Sequence, residues 1–125
     1  PDESTIQYPS CRLERDDRDG WKITALKCNW TPSVGDKEWP RVDLWYGLLV
    51  ENITQAVCAS LLRWALRELD DRVKIVAHVH DEIVADVPNE HGSLEHYEKL
   101  MCVLPSWAEG LPVTAEGYES NRYRK

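Results

Sequence analysis

Asp81 and Glu82 are the sharpest chemical feature of the chain, because two adjacent carboxylates stand where one β-branched run ends and another begins. Before them, Val73, Ile75, Ala77 and Val79 alternate with Lys74, Val76, His78 and His80; after them, Ile83–Val87 stops at Pro88. Period-two alternation predicts strands, so residues 72–87 read as a β-hairpin with both carboxylates at its tip. Carboxylate oxygens are hard ligands suited to Mg²⁺, which keeps most of its waters and is commonly held by one or two carboxylates plus substrate phosphates. The pair also fits a plain solvated turn. A different metal set, His78, His80 and Asp81, follows from His-x-His on a strand: both imidazoles face one way and can hold Zn²⁺ or Fe²⁺ in a small hydrolase.

A second polar group belongs to a helix. Ile53, Val57, Leu61, Trp64 or Ala65, and Leu69 recur at helical spacing, which predicts a helix over 51–69. Glu51 in the first turn and late arginines match the helix dipole. Gln55 shares a face with Glu51 (i, i+4) and Asn52 (i, i+3), so one edge presents amide donors and acceptors. Such groups suit the DNA minor groove, whose purine N3 and pyrimidine O2 acceptors occur in every base pair. They equally suit a solvated helix start.

The remaining elements frame these two. Ser10–Glu14 and Trp21–Cys28 read as strands around a turn at 16–20, with Trp21, Ile23 and Ala25 alternating against Lys22, Thr24 and Leu26. Thr31–Pro40, with two prolines and a glycine, reads as a loop. A helix capped by Ser93 is expected from about Leu94 to Val103, and a last short strand near Val113–Glu116.

At 125 residues the chain has room for one modest core, and a single domain is expected. Hydrophobic residues at 42%, charged residues at 30% and a mean hydropathy of -0.52 argue against disorder. No apolar run reaches the ~20 residues of a membrane helix, and the start lacks a signal peptide's basic and apolar regions, so a protein of the cytoplasm of its cell or host is expected. Six Trp and five Tyr but no Phe suit a wet interface as well as a core. Cys11, Cys28, Cys58 and Cys102 contain no C-x-x-C pair and are expected to be free, buried thiols. The net charge of -7 opposes gripping nucleic acid by bulk positive charge. Acidity peaks at 51–90, with four basic against eight acidic residues, while the tail Arg122, Arg124 and Lys125 is locally basic.

Leu49-Val50-Glu51-Asn52-Ile53-Thr54-Gln55-Ala56-Val57, then Val79-His80-Asp81-Glu82-Ile83-Val84, then Leu111-Pro112-Val113 through Ala115-Glu116-Gly117-Tyr118-Glu119-Ser120 and Arg122-Tyr123-Arg124-Lys125 follow one another in order. Together they resemble the C-terminal end of bacteriophage-type family A DNA polymerases, and Pro9-Ser10-Cys11-Arg12 is similar to that family's Leu-Pro-Ser-Gly-Arg element. The resemblance covers nearly the whole chain. It implies an α+β fold: an antiparallel palm-type sheet with the motif C β-hairpin His80-Asp81-Glu82, backed by two main helices.

In function it implies a split or detached palm segment of a DNA-directed DNA polymerase. Asp81 would ligate two catalytic Mg²⁺ ions, Glu82 would support the site, and His80 would lie near the primer terminus. Gln55, with Asn52 or Glu51 beside it, would face the minor groove of primer-template DNA, and Arg12 belongs to the DNA-binding set. The aspartate of motif A and the Arg, Lys and Tyr-Gly of motif B are not found. Catalysis with dNTP therefore requires a second polymerase chain, and Mg²⁺ binding by the isolated chain is expected to be weak or absent. The alternative is a non-catalytic palm-like module that binds DNA or a replication protein. Cys11 replaces the glycine of Pro-Ser-Gly-Arg and Tyr46 replaces the first glycine before Gly47, two permissive backbone positions.

Overall fold

The computed structural model describes residues 3–17, 20–30, 37–88 and 92–123, with the side chains of Asn29, Trp30 and Lys37 set aside. Parts of the expected turn at 16–20 and loop at 31–40, together with His91, Arg124 and Lys125, lie outside the described residues. The fold is α+β, with antiparallel sheets and two helices. It divides into two compact units, one of Glu3–Ala56 and one built on Val57–Lys125, the division falling inside the long helix.

In the first unit, β1 (Arg12–Arg15), β2 (Trp21–Leu26) and β5 (Arg41–Asp43) form a sheet of order β1-β2-β5. The two-residue strands β3 (Asn29–Trp30) and β4 (Lys37–Glu38) pair separately across the region expected to be loop. Asp16 closes the β1–β2 connection by accepting the Gly20 N–H at 2.7 Å through Oδ1. Burial along β2 does not follow the alternation of its residues: Trp21 is 63% exposed, whereas Thr24 and Ala25 are each 1% exposed. Trp21 and Ile23 lie where β2 pairs only with β1, opposite Arg15 and Leu13, while Thr24 pairs with both β1 and β5, and Ala25 and Leu26 pair with β5. The buried Thr24 hydroxyl accepts from the Arg41 guanidinium at 3.0 Å, so its burial leaves no polar atom unpaired.

Helix α1 spans Tyr46–Asp70 and so starts five residues before the expected Glu51. Trp45 accepts the Leu49 N–H at 3.2 Å and folds its ring over Gly47, where a Cβ would lie 1.7 Å from Trp45 Cζ3. Gly47 is therefore needed for close approach of a ring. Neither Cys11 nor Tyr46 has positive φ; in that first segment the left-handed residue is Ser10, at φ 52.

In the second unit, Ser60, Ala65 and Leu69 of α1 are buried, together with Pro105 and with Ala108 of a 3-10 turn at Ser106–Ala108. The expected stripe Val57, Leu61, Trp64 or Ala65, and Leu69 faces inward, but Ile53, in the first unit, is 56% exposed. After α1, the Arg72 and Val73 N–H groups both donate to Leu69 O, turning the chain into β6 (Lys74–Val79), which pairs with β7 (Glu82–Asp86). Helix α2 is Leu94–Met101, capped by Ser93 as expected, with Glu95 in its first turn. The strand expected near Val113–Glu116 is absent: that segment is irregular and has no ladder partner among the described residues. All four cysteines are free, as expected, but Cys11, Cys28 and Cys58 are exposed rather than buried.

Candidate functional site

The β6–β7 ladder carries Asp81 and Glu82 on a two-residue connection. Val79 pairs with Glu82, so His80 and Asp81 alone make the turn and Glu82 opens β7. His80 has φ 53 and Asp81 does not share this sign, the combination that a type II′ turn requires and usually meets with glycine. A histidine held in this region costs about 1–3 kcal/mol and persists only where the surrounding ladder enforces it. A register shift between Ile75 and Ala77 leaves Val76 as an extra residue, a bulge that bends the strand just before the tip.

Both carboxylates are exposed. Glu82 Oε2 accepts the Tyr123 hydroxyl at 3.0 Å. The phenol is raised above its ordinary pKa, first by this hydrogen bond, then by desolvation and by the charges of Glu82 and Tyr118. Asp86, at the far end of β7, lies about 13 Å along the strand from Glu82 at ~3.3 Å per residue. There it pairs with Lys74 at 3.3 Å in an exposed bridge, beside an open cleft of about 340 Å³ lined by Arg72, Val73, Lys74, Asp86 and Pro88. That cleft is away from the carboxylate pair.

The zinc or iron set His78, His80 and Asp81 is not assembled. His78 sits in β6 opposite Ile83, but His80 has left the strand, so two-residue periodicity no longer places both imidazoles on one face. Among the described residues, no three His, Cys, Asp or Glu side chains are grouped to hold a metal ion.

The polar edge of α1 is in the first unit. Because the helix starts at Tyr46, Glu51, Asn52 and Gln55 occupy its second and third turns, which corrects the first-turn placement. Glu51 and Gln55 are exposed, whereas Asn52 is half-buried and donates from Nδ2 to the Tyr8 hydroxyl at 3.1 Å. Arg12 is exposed on β1. In the neighbouring segment, Arg41 donates to Ser10 O at 3.0 Å, holding the left-handed Ser10 in place.

Three residues with no assigned role therefore enter the picture: Tyr8, Arg41 and Tyr123. Their partners are distant in the chain, so no local pattern announces them.

A DNA polymerase of Bacillus phage SP02 is 36% identical over 126 residues, covering 100% of this chain and 19% of the relative. The chain is similar to a segment of a phage DNA polymerase. It spans about a fifth of the length of the curated relative it matches. No protein-family model matches the chain, and no solved structure matches it. Among the described residues no helix is long and apolar enough to cross a membrane.

Proposed function

We propose that this chain is the C-terminal palm segment of a phage-type family A DNA polymerase, in which Asp81 and Glu82 form half of a two-metal nucleotidyl-transfer site. The observation that carries the reading is the whole-chain similarity to a phage DNA polymerase, joined to a hairpin that presents two exposed carboxylates side by side. The donor set fits Mg²⁺: hard, exposed oxygens, too few to enclose an ion, as expected where substrate phosphates complete the coordination. A bound Mg²⁺ pair would clamp the attacking 3′-oxygen and the leaving oxygens of an in-line displacement.

The chain's own residues divide that work. Asp81 supplies the charged ligand, Glu82 supports it, and His80 is held by its turn beside the primer terminus. Gln55 is the outward amide of the helix edge and reads the minor groove, with Glu51 and Asn52 flanking it and Arg12 on β1 meeting the phosphate backbone. A second chain carrying motifs A and B supplies the other aspartate and the groups that bind dNTP, in the host cytoplasm where replication takes place.

A second reading, a non-catalytic palm-like module that binds DNA or a replication protein, is favoured by exposed apolar residues on α1. Tyr46, Val50 and Ile53 (i, i+4, i+7) are 81%, 59% and 56% exposed. Primer extension separates the two. The polymerase reading expects none from the chain alone and extension after mixing with a chain that supplies the missing motifs; failure of every such mixture favours the binding module.

A further inference from the structure

The segment after α2 is anchored at two points. Gly117 donates its N–H to Glu98 Oε1 at 2.7 Å and lies so close to α2 that a Cβ would stand 2.8 Å from Leu94 Cδ1. Six residues later, Tyr123 donates its hydroxyl to Glu82 Oε2 at 3.0 Å. A lone exposed hydrogen bond adds little, because ordering both side chains offsets it. Anchoring at Gly117 changes this balance: the chain leading to Tyr123 is already tethered, so its phenol meets Glu82 as an intramolecular partner at high effective concentration.

The contact also has a direction. With Oε2 engaged by the phenol, Oε1 keeps its lone pairs for a cation, and the hydrogen bond restricts rotation of the carboxylate that follows Asp81 in the chain. Outer partners of this kind orient carboxylate ligands, and their loss weakens metal affinity.

We infer that Tyr123 is a positioning residue for the carboxylate pair, and that the segment from Gly117 to Tyr123 is a strap holding Glu82 in the orientation that binds a divalent cation with Asp81. The cation's role rests on the polymerase reading; the contact itself does not.

The test uses the full 125-residue chain with Mn²⁺ as a paramagnetic probe, read by broadening of the Asp81 and Glu82 amide signals. Asp81→Asn should abolish the broadening. Tyr123→Phe, which keeps the ring and removes the hydroxyl, should weaken Mn²⁺ affinity by about tenfold with the melting temperature unchanged. Unchanged Mn²⁺ affinity in Tyr123→Phe, with Asp81→Asn still abolishing it, overturns the strap and leaves the polymerase reading standing. No Mn²⁺ effect at Asp81 and Glu82 in the unaltered chain also overturns the strap, while primer extension by the reconstituted pair still decides the polymerase reading.

Discussion

Asn52 and Tyr8 are joined by a 3.1 Å hydrogen bond from Nδ2 to the phenol oxygen, across 44 positions of chain. The bond fastens the residues before β1 to the second turn of α1. It also divides the polar edge of the helix: Asn52 is committed to structure, while Gln55 is exposed and available to a ligand.

Tyr8→Phe should therefore cost stability, by about 0.5–1.5 kcal/mol for one part-buried hydrogen bond. Gln55→Ala should change stability by no more than about 0.5 kcal/mol, as for an exposed side chain. Urea denaturation of the two variants checks the contrast. Equal losses would mean that Gln55 is also structural.

Leu69 is 3% exposed in a unit whose other fully buried side chains are small, Ser60, Ala65 and Ala108 among them. Leu69→Ala should cost about 2–5 kcal/mol, a large share of the stability of a small domain. The urea midpoint should fall sharply; an unchanged midpoint would show that this helix face is not the core.

Among the described residues two groups have raised pKa values, and their sign is the same. The Lys22 ammonium is raised mainly by its hydrogen bond to Asp43, whose Oδ1 lies 3.1 Å away, and the Tyr123 phenol is raised mainly by Glu82. A raised folded-state pKa means a contribution fully present below the unfolded value, about 10 for Tyr and 10.4 for Lys, and lost as pH rises through the folded value. Stability should therefore decline on the alkaline side, above about pH 10, and these two groups predict no change on the acid side. Tyrosinate absorbance should show a late-titrating step that Tyr123→Phe removes. Its persistence in the variant would assign it to another tyrosine.

DNA binding by the chain alone should be weak and strongly salt-sensitive, because the net charge of -7 opposes phosphate approach. Fluorescence anisotropy with primer-template DNA should show binding at low salt that is largely lost by about 200 mM. Tight binding that persists at high salt would mean that a non-electrostatic surface recognises the DNA.

What could be read from the sequence was local and periodic. The alternation through Val73–Val79 located the hairpin and its tip, and helical spacing found Ala65 and Leu69. The start of α1 escaped because Trp45, Tyr46 and Gly47 are poor helix formers; the Trp45 ring over Gly47 is a tertiary reason for a helix to begin there. β5 is three residues, Arg41-Val42-Asp43, too short for any period to register. The bulge at Val76 leaves no mark in the alternation of Val73, Ile75, Ala77 and Val79. Val113–Glu116 has strand-like residues without a partner strand, and propensity cannot supply one. The Tyr8–Asn52 and Tyr123–Glu82 contacts join residues 44 and 41 positions apart, so they exist only once the fold does.

The most direct measurement is primer extension by the reconstituted pair, this chain mixed with one supplying motifs A and B, carrying Asp81 or Asp81→Asn. Asparagine keeps the shape of the side chain and removes the charge that would hold the metal pair, so the loss belongs in the chemical step rather than in folding. The expected result is a fall in kcat of about a thousandfold, on the scale of losing a group that stabilises transition-state charge, with an unchanged melting curve and no extension by this chain alone. Undiminished extension by the Asp81→Asn pair would contradict the assignment of the hairpin tip to catalysis, and robust extension by the isolated chain would contradict the half-site.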